Sequence, residues 1–260
     1  MTFNLGLLCL GAFLAGLVDA VVGGGGLIQL PALLTWQSQL PIAVLLGTNK
    51  SISICGTSLA ALQYSRQLPQ NWRVLLPAAA TGFVCSFLGA RAVSLLPGVI
   101  LRPVVIGLLI AVALYTFRNK RFGESHSPNP SQTVQVRWAV CLGGGLGFYD
   151  GFFGPGTGSF LIFAFIGILG FSFLHASAAA KLINLATNLA AVLYFAYTGQ
   201  IAWHLTLPLA ISNMLGALCG TRLAIAKGSL FVRRLFLGVV IAISVKLLWD
   251  WGNSWLAGSH

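Results

Sequence analysis

Two lysines stand in sequence that is otherwise apolar. Lys181 lies within "HASAAAKLINLATNLAAVLYF", with Asn184 and Asn188 three and seven residues further on. Lys50 has Ser53 and Thr57 at the same offsets and Asn49 directly before it. Those offsets put side chains on one face of a helix, so each segment offers an ammonium group and neutral hydrogen-bonding groups along one stripe. Such a stripe suits a small anion, which on leaving water needs donors and positive charge in place of its hydration. The plainer alternative is a lysine that snorkels to the membrane surface or pairs with an acid.

Two acids accompany the lysines. Asp19 precedes "GGGG" (Gly23, Gly24, Gly25, Gly26), and Asp150 precedes "GPGTGS", which contains Gly154, Gly156, Thr157, Gly158 and Ser159. Glycine and proline weaken helices, so each stretch can turn the backbone and start a new half-helix. Irregular backbone at membrane depth persists only where protein buries it or where it lines a wet cavity. A half-helix N-terminus there attracts anions through its free N–H groups and dipole. Close helix packing through small residues is the alternative reading. The two carboxylates could cap a half-helix, neutralise a lysine, or load and release a proton. As a pair they also admit acid–base chemistry on water, as in an intramembrane aspartyl protease. Such enzymes carry the acid directly after GxG, whereas Gly147, Phe148 and Tyr149 precede Asp150 here.

The elements that must position these groups are membrane helices. The chain is 260 residues, 57% hydrophobic and 7% charged. Soluble domains carry about 25% charged residues, and apolar runs of about 17–25 residues recur here, the length that crosses a bilayer. No run alternates as barrel strands do. The net charge of +11 lies mostly in short loops beside apolar runs, which positive-inside topology explains without nucleic acid. The N-terminal stretch lacks a basic leader and reads as a retained helix. Cys9, Cys55, Cys85, Cys141 and Cys219 form no CxxC and all fall in apolar runs, where they read as small packing residues.

The chain is one unit written twice. A gapless shift of 131 residues pairs Gly16 with Gly147, Asp19 with Asp150, Gly23 with Gly154, Lys50 with Lys181 and Trp72 with Trp203. It also pairs Pro77 with Pro208, Gly89 with Gly220, Arg91 with Arg222 and Arg102 with Arg233. Two repeats follow, 1–117 and 138–260, joined by a polar linker over 118–137. Each half holds an apolar segment that reaches the glycine break (5–22; 136–153) and a short apolar piece (27–35; 158–170). Three long helices complete each half: 41–65, 73–96 and 99–117, then 173–197, 204–227 and 231–250.

If each broken first unit is re-entrant, each half crosses an odd number of times and the second is inverted. One side then carries Arg66, Arg73, Arg118, Lys120, Arg121, Arg137, Lys227, Arg233 and Arg234, and the other Arg102 and Lys246, with Lys50, Lys181, Arg91 and Arg222 too deep to assign; parallel halves of four crossings each would split the same residues seven to four. The first side is the cytoplasmic one, with the linker, and both termini lie opposite. The fold class expected is an all-α integral membrane protein, a polytopic bundle of two inverted repeats with re-entrant broken helices. Inverted repeats with broken helices mark secondary transporters, which bind substrate at the repeat interface.

"GLVDAVVGGGGLIQLPALL" followed by "GTNKSISICGTSLAAL", with "GFYDGFFGPGTGSF" and "AAAKLINLATNLAAV" in the second half, resembles the sulfite exporter TauE/SafE family of bacterial inner-membrane permeases. The resemblance covers essentially the whole chain and implies a permease for sulfite, organosulfonates or related small anions. The expected partners are that anion, the lipid bilayer and protons, with no nucleic acid. No catalytic residue, metal or cofactor is expected, and no GxxxxGK[ST] stretch suggests ATP. The gradient of protons or of charge is the expected drive. A membrane scaffold without transport is the third alternative, against which the buried lysines argue.

Overall fold

A computed structural model of the chain describes residues 2–97 and 131–257. Eight helices and no strand occur among the described residues. They are α1 (Thr2–Val22), α2 (Gly26–Trp36), α3 (Ile42–Gln67), α4 (Trp72–Ser94), α5 (Gln132–Phe152), α6 (Thr157–Leu169), α7 (Phe173–Tyr197) and α8 (Trp203–Ala257). The starts of α2, α3 and α4 return 131 residues later as the starts of α6, α7 and α8. The expected helix over 99–117 lies outside the described residues, as does most of the linker. α5 begins at Gln132 and takes up 132–137, which the sequence reading gave to the linker. Backbone hydrogen bonding does not stop where the apolar run stops, so the helix extends past it through Arg137 and Gln135. The 204–227 and 231–250 segments form one element, α8, broken in direction at Gly228 (φ 69°, ψ −169°).

Among the described residues, four helices are long and apolar enough to cross a membrane: Leu5–Val22, Trp72–Ser94, Phe173–Tyr197 and Trp203–Val232. α2 and α6, with 11 and 13 residues, are too short. At about 1.5 Å per residue they reach little more than half of a hydrocarbon core about 30 Å thick. α2 folds back along α1, since Gly25 packs on Ala15 and Gly11 faces Ala32. α1 and α2 therefore form a helical hairpin with the glycines at its tip.

Small residues set the close helix pairs. α5 runs parallel to α4, with Gly143 on Ala78, Gly147 on Gly82 and Gly151 on Ser86. α1 runs parallel to α8 in the same manner, with Gly216 on Phe13 and Gly220 on Leu17. Glycine at these contacts lets backbones approach where lipid supplies no hydrophobic drive. The first helix of each half thus packs on the last described helix of the other. α3 and α7 run antiparallel, with Gly47 against Phe195 at one end and Thr57 near Asn188 further along. Large apolar side chains on α1, α4 and α8, among them Leu10, Leu76, Val84, Leu207 and Ile211, point outward. That surface would be a liability in water and is ordinary against lipid.

These directions bring the α3–α4 turn, the start of α5 and the α6–α7 turn to one end of the bundle. Arg66, Arg73, Arg137 and Lys227 are all exposed at that end. The connections at the other end, 37–41, 95–97 and 198–202, hold no lysine or arginine. Trp72 and Trp203, each the first residue of its helix, are exposed at opposite ends, where an aromatic belt would have them.

Candidate functional site

The two glycine breaks meet tip to tip. Gly23 (φ +75°), Gly154 (φ +95°) and Gly156 (φ +86°) are left-handed, a conformation that costs other residues about 1–2 kcal/mol. A β-carbon on Gly23 would fall into the backbone of Gly158, and one on Gly158 into Gly23. Gly26 faces Pro155 in the same way. Ser159 Oγ donates to Val22 O at 2.8 Å and ties the two tips together, while Thr157 Oγ1 donates to Gly154 O at 2.7 Å within its own turn.

α3 and α7 cross beside the tips and exchange partners between halves. Lys50 Nζ lies 2.7 Å from Asp150 Oδ2, and Lys181 Nζ lies 2.7 Å from Asp19 Oδ2. Each acid thus neutralises the lysine of the opposite half. The Lys181 side chain is 0% exposed against 23% for Asp19, while Lys50 and Asp150 are 5% each. Asp19 also accepts a long bond from Gly25 N at 3.4 Å, at the start of α2. It therefore does both structural jobs, cap and counter-ion. Lys50 donates to Asn188 Oδ1 at 3.1 Å, and Asn188 Nδ2 donates to Thr57 Oγ1 at 3.5 Å. Thr57 and Asn188 are counterparts under the 131-residue shift, so the two polar stripes touch at matching positions.

A cavity opens where these groups converge. It is lined by Asp19, Gly23, Gly26, Asn49, Lys50, Ser53, Asp150, Gly154, Gly156, Gly158, Asn184 and Asn188. Its volume is about 30 Å³, enough for ordered water beside a polar wall. Asn184 Oδ1 is buried there without a hydrogen-bond partner. Of the other residues expected at the site, Gly24 and Gly25 lie in the turn behind it, and Thr57 reaches it through Asn188. Thr157 and Ser159 brace the tips. Lys181 does not line the cavity and sits behind Asp19, so the two lysines are not equivalent.

Several buried polar residues were not expected from the sequence. Gln29 Nε2 donates to Asn49 Oδ1 at 3.0 Å, and Asn213 Nδ2 donates to Gln29 Oε1 at 3.1 Å. Ser51 and Thr206 share a hydroxyl bond at 2.9 Å, and Ala202 N donates to Thr48 Oγ1 at 2.9 Å. A lone carboxamide in an apolar helix was the available signal. The duplication does not point to them, because Gln29 and Asn213 correspond to Phe160 and Gly82.

Other groups stand apart from the site. Arg91 and Arg222 are exposed on their helices. His204 is exposed, and His175 meets Ser172 at the start of α7. The five cysteines are free, and Cys141 and Cys219 are exposed. A catalytic acid pair needs two carboxyl groups sharing one proton. Here each carboxylate is taken up by a lysine, which gives the protease reading no support.

The sequence model of the family described as "Sulfite exporter TauE/SafE" matches residues 8–247. The "Probable membrane transporter protein ORF9" of Sinorhizobium sp is 36% identical over 246 residues, covering 95% of this chain and 93% of that protein. The "Probable membrane transporter protein YfcA" of Escherichia coli (strain K12) is 36% identical over 248 residues, covering 95% and 90%. A "Probable membrane transporter protein" of Haemophilus influenzae is 33% identical over 246 residues, covering 95% and 94%. No solved structure matches the chain significantly. With a match over nearly its whole length and apolar helices of spanning length, the chain belongs to the sulfite exporter TauE/SafE family, as a multi-pass membrane transporter of the bacterial inner membrane.

Proposed function

We propose that the protein is a secondary transporter of a small anion, held between the two glycine tips with Lys50 as its main positive contact. The observation that carries this reading is the buried cavity where an ammonium group, carboxamides and two half-helix starts converge. Each of these is a donor or a positive pole, and an anion stripped of water needs both. The family description names sulfite, and the anion proposed is sulfite, an organosulfonate or a related sulfur-containing anion. The gradient of protons or of charge supplies the drive. The expected result is flux of such an anion into liposomes holding the purified protein, responding to a pH gradient or a membrane potential. Absence of flux for sulfite, thiosulfate and sulfonates under both gradients would remove the reading. Lys50→Gln should weaken anion binding by roughly 1–3 kcal/mol, the usual scale for a charged hydrogen bond. Lys181→Gln should weaken it less, because that ammonium lies behind Asp19; thermal stabilisation by added anion measures both.

The two halves act as inverted repeats that rock about the site. What supports this is the antiparallel course of α3 and α7, together with the parallel pairs α4–α5 and α1–α8. Counterpart helices then point in opposite directions. The end bearing Arg66, Arg73, Arg137 and Lys227 is the cytoplasmic one by the positive-inside rule. A reporter fused within 118–137 should read as cytoplasmic and one at the C-terminus as external. Both on one side would restore a parallel arrangement of the halves.

A further inference from the structure

We propose that Asp150 is the proton carrier of this transporter, so that a monovalent anion enters the cavity together with one proton. The inference rests on the anion-transport reading and adds the co-substrate. The charges at the site decide it. Lys50, Asp150 and Asp19 line the cavity, and Lys181 stands behind Asp19. Two ammonium groups facing two carboxylates sum to zero, so the site is already neutral when empty of ligand. An anion added alone would leave a net negative charge away from water, which a low-dielectric interior penalises heavily. A proton taken up with it removes that excess.

The geometry selects which acid receives the proton. Protonating Asp19 would strand Lys181, whose side chain is 0% exposed and whose hydrogen bond runs to Asp19 at 2.7 Å. Lys181 does not border the cavity, so the anion could not replace the lost charge. Protonating Asp150 has a different result. Lys50 keeps its bond to Asn188 Oδ1, borders the cavity, and can turn its ammonium group from the carboxyl to the anion. Asp150 Oδ2, held by the Lys50 charge alone, becomes an O–H donor that can point at the anion. Asn184 supplies an independent sign of an occupant. It is 5% exposed and lines the cavity, and its buried Oδ1 has no hydrogen-bond partner, so its carboxamide is free to reorient toward a guest.

The other titratable groups near Asp150 are accounted for. Tyr149, its neighbour on α5, spends its hydroxyl on Pro155 O at 2.9 Å. α2 and α6 contain no titratable side chain. α4, packed on α5, brings Cys85, which faces Gly144, and Arg91, which is exposed; α7, also packed on α5, brings Lys181, which is paired with Asp19, His175, which meets Ser172, and Tyr194, whose ring packs on Phe87. The step balances simply: the carboxylate of Asp150 gains one proton, no bond in the anion is made or broken, and release on the far side reverses both.

The test uses purified full-length protein with sulfite and with methanesulfonate, a monoanion whose own charge does not change with pH. Thermal stabilisation gives affinity across a pH series, and an indicator dye in weak buffer counts protons. For the wild type, affinity should fall about tenfold per unit rise in pH, beyond any titration of the free anion, with about one proton taken up per anion bound. Asp150→Asn should bind with an affinity independent of pH and take up no proton. Binding without proton uptake by the wild type overturns the inference and leaves the transport reading standing. A slope retained by Asp150→Asn overturns it equally. Failure of both anions to bind at any pH overturns the two together. If Asp150→Asn does not fold, the wild-type proton count alone decides.

Discussion

Asp19→Asn is expected to lower the stability of the purified protein by about 3–5 kcal/mol, the range measured when one partner of a buried ion pair is removed. Asparagine keeps the shape of the side chain and an acceptor oxygen, so packing is hardly changed. What changes is the charge beside Lys181, which is fully buried and has no other ion pair among the described residues. An ammonium group left there must lose its proton or draw water into the space between α1 and α7. Asp150→Asn should cost less, because Lys50 keeps Asn188 and borders a cavity that admits water. Thermal unfolding in detergent would rank the two variants. Adding Lys181→Met to Asp19→Asn should recover most of the loss, since replacing a whole buried pair by neutral side chains is often close to neutral. The double-mutant cycle then reports the pair itself. Unfolding of Asp19→Asn at the wild-type temperature would mean that Lys181 has a source of compensation other than Asp19.

Gly23→Ala is the second large effect expected, a loss of about 2–5 kcal/mol from left-handed strain and overpacking together. Gly23 holds φ +75°, and its β-carbon would run into the backbone of Gly158. The opposing tip cannot simply retreat. The neighbouring Ser159 hydroxyl, bonded to Val22 O at 2.8 Å, holds that tip against α1. Both tips border the cavity, so anion binding should fall with stability. Gly145→Ala and Gly167→Ala are the controls, because nothing lies within 4 Å of either β-carbon position. Both are inside helices, where alanine is favoured over glycine by about 0.5–1 kcal/mol, so these variants should unfold no earlier than wild type. If Gly23→Ala behaves like the controls, the tips do not meet in the way that the structure has them.

The membrane class, the broken helices and the register of lysines and acids were legible in the amino-acid sequence because each is a local property. Apolar run length, helix breakers and the three-and-seven spacing after Lys50 and Lys181 need no knowledge of what lies across the molecule. The duplication extended that reading, since two acids and six basic residues recurring at one shift supply a pattern that hydrophobicity alone cannot imitate. The partners were another matter. Asp19 lies nearer in sequence to Lys50, yet its counter-ion is Lys181, 162 residues away, because α3 and α7 cross in opposite directions and carry each lysine to the tip of the other half. The same crossing hides Lys181 behind Asp19 while leaving Lys50 at the cavity, a distinction that identical local patterns cannot make. Gln29, Asn49 and Asn213 likewise find one another only where α2, α3 and α8 meet. Charge and hydrogen bonding act over a few ångströms, so which groups pair is decided by which helix faces touch, and that is a property of the assembled bundle.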